Sequence, residues 1–261
     1  MLPTPAATRL PYTDWHTHAS AYRLFDAREA ATVAAMAARG AELGLEMMGI
    51  GEHVNLQPKH APECYERLAR DLRQLEAPIP LYLTAELDIL NERGELSNPD
   101  GVVQRAQPDC VIASVHHMEP YDSLDAWLSQ YQRLLLGAII APNGAHVFGH
   151  PWHNARKLPE LGLVSEWRWE LLPERMVDEV LQALRERGMA LEINKRWVAS
   201  FGDAGLRALV VRIRDAGVQV SIGSDAHNPE ALDSSAAIHA FLQDLAFPPA
   251  QLWAPGRARE A

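Results

Sequence analysis

Cysteine is scarce in this chain, with only Cys64 and Cys110 among 261 residues. The pair forms no CxxC spacing and no disulfide framework, and Cys110 opens an apolar run as a core residue would. No window reaches the roughly 18 consecutive apolar residues that a membrane-spanning helix requires. The opening segment MLPTPAATRLPYTD lacks a basic stretch followed by an apolar one, so no secretory signal is expected there. Basic residues are outnumbered, 24 Lys and Arg against 34 Asp and Glu, for a formal net charge of -10. The Lys and Arg clusters that a phosphate backbone rewards are missing, which argues against general nucleic-acid binding. Internal repeats, low-complexity linkers and nucleophilic Ser or Cys motifs are absent as well. What remains is the expectation of a soluble cytoplasmic protein of a reducing compartment, without membrane association and with no oligomeric state specified.

Apolar residues make up 48% of the chain and charged residues 22%, enough for a sizeable buried core. Short apolar runs alternate with amphipathic stretches along the whole length. Candidate strands are Tyr12–His16, Met47–Gly51, Leu81–Glu86, Cys110–Val115, His146–Phe148, Met189–Ile193 and Val218–Ile222. Between them, apolar residues at three- and four-residue spacing predict helices at Ala27–Leu43, Tyr65–Leu75, Leu124–Leu136, Glu174–Glu186, Ala204–Asp215 and Pro229–Leu242. Alternation of this kind predicts a mostly parallel sheet, and seven strands suit a distorted seven-stranded β/α (TIM-like) barrel. An open doubly wound sheet satisfies the same pattern. The chain is read as one domain over 1–261, with its core at about 12–245. The segment Pro151–Pro173, which carries Trp152, Trp167 and Trp169, breaks the rhythm and is read as an insertion.

Chemistry gathers at the strand ends. Of eleven histidines, six fall just past candidate strands: His16 and His18 after the first, then His53, His116, His150 and His227. Glu86 closes the third strand and Asp225 follows the seventh. In a β/α barrel the carboxyl ends of the strands share one face, where the loops build active sites. Each residue alone has an ordinary structural explanation. His16 and His18 suit a strand edge, Glu86 an exposed strand position, and Asp225 a helix cap before Pro229. Together, eight imidazoles and carboxylates converging in a buried place leave unpaired charge and unmet hydrogen bonds unless a cation is present. The mixed set suits zinc, manganese or iron.

The ordered motifs Asp14-Trp15-His16-Thr17-His18, Gly51-Glu52-His53, Glu86, Ser114-Val115-His116, Gly149-His150-Pro151 and Gly223-Ser224-Asp225-Ala226-His227 resemble the PHP family of polymerase and histidinol phosphatase domains. The stretch from Gly94-Glu95-Leu96 to His116 is also similar to the PHP domains attached to some DNA polymerases. The resemblance spans about Tyr12 to Leu242. It implies a distorted seven-stranded barrel holding two or three divalent ions. His16, His18, Glu86 and Asp225 would bind the first. Glu86 would bridge to a second held by His116 and His150, and His53 and His227 would contribute to a third. Many members carry one more histidine eight positions after the first of the His-x-His pair, where this chain has Leu24. Asp26, His60 and His153 are the residues nearest to filling that gap.

The expected activity is hydrolysis of a small phosphomonoester, histidinol phosphate being the family's example. Paired ions acidify a water, and the resulting hydroxide attacks phosphorus. His16, His18, Glu86, Asp225 and His227 form the expected catalytic set, while Lys195 and Arg196 are placed to reach the phosphate. His117 is expected to turn away from His116, and Glu52 away from His53, if strand alternation continues. Three other functions fit the same residues: action on nucleotides or oligonucleotide ends, amide or lactone hydrolysis, and a non-catalytic regulatory module. Against amide chemistry, Glu86 stands where a carboxylated lysine would bridge the ions.

Overall fold

Each predicted strand becomes part of one parallel sheet in the computed structural model, which describes residues 9–119 and 121–256. The strands are β1 (Thr13–Asp14), β2 (Met47–Val54), β3 (Leu81–Asp88), β4 (Cys110–Ser114), β5 (Val147–Phe148), β6 (Ala190–Asn194) and β7 (Val220–Gly223), and they lie side by side in sequence order. All six neighbouring pairs are parallel. The first and last strands then meet. Trp15 N donates to Ile222 O at 2.8 Å, Asp225 N to His16 O at 2.7 Å, and His18 N to Ala226 O at 2.7 Å. These bonds bend the sheet into a distorted, nearly closed seven-stranded β/α barrel, in place of the open-sheet alternative.

Among the described residues seven α-helices complete the units: α1 (Val33–Glu42), α2 (Pro62–Gln74), α3 (Val102–Ala106), α4 (Leu124–Ile140), α5 (Glu174–Arg187), α6 (Ala204–Asp215) and α7 (Ser234–Asp244). Their ends follow local chemistry. Thr32, Ser123 and Asp203 accept a bond from the backbone N–H three residues on, and Gly188 ends α5 at φ 63°. The Thr32 cap explains why α1 starts at Val33 and not at the expected Ala27. The expected helix from Pro229 is split into a short 3-10 turn, Pro229–Asp233, and α7. Helix α3 was not predicted, because five residues are too few for a periodic pattern.

Alternation along β3 gives Tyr82, Thr84, Glu86 and Asp88 one face. At its apolar end Tyr82 meets Trp15, which also packs edge-on against Trp253 (ring centroids 5.3 and 5.4 Å). Cys110, Ile112, Val147 and Ala190 join this cluster, so the lower barrel is filled with apolar side chains. The opposite residues of the strands, such as Ile50, Leu83 and Leu87, are buried with helix residues including Met36 and Leu68. The polar layer therefore sits above a packed floor, at the carboxyl ends of the strands.

Within residues 151–173 Trp152 and Trp169 are buried, and both pack against Trp197. Among the described residues no helix is long and apolar enough to cross a membrane. The reading of the opening segment falls largely on residues 1–8, outside the described ones.

Candidate metal centre

Glu86 projects from β3 into the barrel mouth with its carboxylate almost wholly buried. Five imidazoles surround it: His53 Nδ1 and His150 Nε2 at 2.8 Å, His116 Nε2 at 3.2 Å, His16 Nε2 at 3.3 Å and His18 Nε2 at 3.5 Å. Asp225 approaches from the β7 side, with its Oδ1 3.2 Å from His18 Nε2 and 4.0 Å from His16 Nε2. His227 lies at the rim, stacked on His18 with ring centroids 4.1 Å apart, its Nδ1 3.0 Å from the Asp225 carbonyl. All eight residues singled out from strand-end position thus share one cluster. The backbone is bent to build it. Asp225 and His150 hold positive φ, 48° and 26°, in a region that non-glycine residues seldom occupy and that concentrates at functional sites.

Three further carboxylates orient the histidines. Glu192 Oε1 accepts from His16 Nδ1 at 2.8 Å, and its other oxygen accepts from the His150 backbone N–H. Asp88 Oδ1 accepts from His116 Nδ1 at 2.6 Å. Glu52 Oε1 lies 3.2 Å from His18 Nδ1. A carboxylate on the far nitrogen fixes the tautomer and turns the near nitrogen toward an ion. The backbone makes room at Gly223, where a Cβ would lie 1.6 Å from Glu192 Oε1 and 2.9 Å from the His16 Cβ.

Glu192 and Asp88 were not singled out from sequence, although both left a trace. Glu192 is the one charge inside the fully buried strand Ala190–Asn194, and Asp88 stands two residues past Glu86 on the same face. Glu52 was expected to turn away from His53. Instead it is buried beside His18, where Arg23 reaches it, so the packing partner overrides simple alternation. For His117 the condition of that expectation is not met, since β4 stops at Ser114 and alternation no longer applies. His117 lines the same cleft as His116.

Charge in the cluster is tightly balanced. Burial pulls the His16 imidazole down, but Glu192 and Glu86 outweigh it and hold it well above its usual range. His18 and His116 are likewise raised against the effect of burial, the former by Asp225 and Glu52, the latter to about 10 by Glu86 and Asp88. Burial pushes the Glu86 and Asp225 carboxyls upward, and the surrounding imidazoles more than reverse it, leaving both well below normal. The carboxylates therefore demand positive charge. Several atoms of the cluster are buried without any hydrogen bond, namely His16 Nε2, His18 Nε2, His53 Nδ1 and the carboxylate oxygen Glu86 Oε2. Lone pairs that converge without hydrogen-bond geometry are what a divalent cation satisfies, and imidazole with carboxylate is a donor set for zinc, manganese or iron. The residues present fit that cofactor. Ligand atoms lie close enough together in three overlapping groups: His16, His18 and Asp225; His53, Glu86 and His116; and His18, Glu52, His53 and His227.

Above the cluster opens a cleft of about 300 Å³. Arg23, Lys59, Lys157 and Arg196 line it together with His53, His60, His116, His117, His153 and His227, and no carboxylate does among the described residues. Arg196 Nη2 donates to Asp225 Oδ2 at 2.8 Å, and its buried Nε has no hydrogen-bond partner. Lys195, also expected at the phosphate, donates from Nζ to the Asp225 carbonyl. Of the residues considered for the gap at Leu24, His60 stacks on His53 and bonds Asn55, with its imidazole lowered by burial to about 3. His153 packs edge-on against His150, and burial lowers it to about 2. Asp26 and Leu24 are both exposed.

A parallel β/α barrel with a buried histidine–carboxylate centre at the carboxyl ends of its strands defines a class of metal-binding domain. The PHP domain model matches residues 14–196, and the chain belongs to the PHP family. Among curated relatives, a probable phosphatase of Thermoanaerobacter sp. strain X514 is 23% identical over 219 residues, covering 82% of this chain and 78% of the relative. A probable phosphatase of Enterobacter sp. strain 638 is 26% identical over 164 residues, 59% of this chain and 57% of that one. Among solved structures, histidinol phosphate phosphatase from Lactococcus lactis subsp. lactis Il1403, complexed with zinc, L-histidinol and phosphate, matches with a TM-score of 0.65. Identity to it is 18%, with 91% of this chain and 95% of that chain covered, a likeness of fold.

Proposed function

We propose that this chain is a metal-dependent phosphatase that hydrolyses a small phosphomonoester. The observation that carries the proposal is the union of a carboxylate ringed by five imidazoles with a cleft lined by four cationic side chains. On a protein with a formal charge of -10, such a cleft is a local reversal of field, which selects an anion. Its volume of about 300 Å³ sits at the low end for ligand pockets and suits a compact leaving group better than a polymer.

His16, His18, Glu86 and Asp225 would hold one divalent ion, and Glu86, His116 and His150 a second, with His53 and His227 at the cleft side of both. When bound, the ions supply an acidified water and neutralise charge on the phosphoryl oxygens. The protein's own part is to fix geometry. Glu192, Asp88 and Glu52 hold His16, His116 and His18 in one tautomer and orientation. Arg196 holds the Asp225 carboxylate on Nη2 and lines the cleft, where its other terminal nitrogen would donate to a phosphate. The apolar floor around Trp15 keeps bulk water from entering beneath.

L-Histidinol phosphate is the leading substrate, supported by the family and by the ligands of the Lactococcus structure. The test is phosphate release by manganese- or zinc-loaded protein from histidinol phosphate, nucleotides and sugar phosphates. Chelated protein and a His16→Ala variant serve as controls. Turnover lost in both controls supports the proposal, and the preferred compound names the substrate. Metal-loaded protein that releases no phosphate from any of them refutes it.

A further inference from the structure

The third group of possible ligands, His18, Glu52, His53 and His227, differs from the first in how an arginine meets its carboxylate: Arg196 takes only Asp225 Oδ2 and leaves Oδ1 facing His16 and His18, whereas both Glu52 oxygens are taken. Arg23 lies against Glu52 as a fork, with Nε on Oε2 at 2.8 Å and Nη2 on Oε1 at 2.9 Å. Both side chains are buried, at 8% and 2% exposure. Glu52 Oε1 also accepts the His53 backbone N–H at 2.9 Å and faces His18 Nδ1 at 3.2 Å, so neither oxygen is uncommitted.

The histidines of the group are turned elsewhere too. His18 directs Nε2 at Asp225, His53 directs Nδ1 at Glu86, and His227 holds Nδ1 on the Asp225 carbonyl. His18 thus has both ring nitrogens engaged, Nε2 toward Asp225 and Nδ1 toward Glu52, and nothing left for another ion.

Local structure explains why an arginine reaches this place. The 3-10 turn Ser20–Tyr22 is pinned by Ser20 Oγ to the His227 carbonyl and by Tyr22 Oη to Asp71. Leu24 N donates to the Lys59 carbonyl, and its side chain points outward at 60% exposure. The turn thus directs Arg23 inward and Leu24 out. Burying a carboxylate such as Glu52 is tolerable only with a partner, and a bidentate guanidinium is a strong one.

We infer that Arg23 takes the place of a third ion: the centre loads two divalent cations, and the guanidinium supplies the remaining fixed positive charge on the cleft wall. The inference rests on the cluster being a metal centre, as proposed above. Arg23 also holds the Glu52 carboxylate aimed at His18, so it is a positioning residue for the first ion site. Removing it frees Glu52 Oε2 beside His53 and His227, and the group becomes able to take a cation.

The test is metal content per chain. Full-length protein is saturated with manganese or zinc, freed of excess ion, and measured by native mass spectrometry and elemental analysis. Wild type is expected to carry two ions. Arg23→Ala is expected to carry three, and the double variant Arg23→Ala/Glu52→Ala to return to two, each with a wild-type circular dichroism spectrum. Three ions on wild type, or two on Arg23→Ala, would overturn the inference. Wild type carrying no tightly bound ion would instead refute the metal centre itself, so the two failures are distinguishable.

Discussion

Replacing Glu192 by glutamine removes one charge and almost no volume from a completely buried site, which isolates what that carboxylate does. Its two oxygens accept from two different donors, His16 Nδ1 at 2.8 Å and the His150 backbone N–H. Glutamine has one acceptor oxygen, so one of these N–H groups must face an NH2 group. Leaving a buried donor unsatisfied costs about 1–3 kcal/mol. The second effect is on His16, which loses the carboxylate that raises its basicity and fixes its ring. Outer partners of metal-bound histidines are typically worth roughly 10- to 100-fold in metal affinity, or about 1.4–2.7 kcal/mol. Both losses are measurable separately. Chelator competition gives affinity, with an expected fall of at least about tenfold. Thermal unfolding of metal-free protein gives stability, with an expected drop of a few degrees. Metal affinity within about twofold of wild type would refute the role assigned to Glu192.

Four other outcomes follow from the same geometry. Gly223→Ala places a Cβ 1.6 Å from Glu192 Oε1, so the carboxylate must move, costing about 1–3 kcal/mol of stability and weakening metal binding; unchanged melting and affinity would contradict this. Asp88→Asn weakens the bond to His116 Nδ1 and lowers metal affinity by about tenfold or more, read by the same competition assay. His16 is held well above the usual histidine range and His116 at about 10, so both carry protons at neutral pH that an ion must displace. Metal binding therefore releases protons, and affinity falls by about tenfold per pH unit of acidification for each proton released; pH-indicator titration giving no release would contradict it. Trp197→Ala opens a hole between Trp152 and Trp169 and costs about 3–5 kcal/mol, measured by denaturant unfolding; a loss below about 1 kcal/mol would show that residues 151–173 are anchored otherwise.

The strand-end histidines were legible because alternation is a local property. An apolar run stops, an imidazole follows, and in a barrel every such end faces the same way. That rule located His16, His18, His53, Glu86, His116, His150, Asp225 and His227 without knowledge of any contact. The same rule failed at Glu52 and did not reach His117. Glu52 is fixed by Arg23, 29 residues earlier in the chain, and His117 lies beyond the end of its strand. Helix boundaries moved for similar reasons: Thr32 caps α1 five residues inside the expected start, and Asn228 caps a 3-10 turn ahead of α7.

Sequence by itself determined the seven parallel strands, their order of appearance and the gathering of imidazoles and carboxylates at one end, since these follow from hydrophobic period and position along each unit. Only the tertiary structure decided how the strand ends are wired. Closure of the barrel through Trp15, Asp225 and His18, the pairing of Glu192 with His16 across 176 residues, and the fork of Arg23 on Glu52 all join segments that carry no mark of each other. Burial supplies the physical reason. A carboxylate removed from water must find a cationic or hydrogen-bonding partner, and which partner lies within reach is set by how the barrel closes rather than by neighbours in the chain.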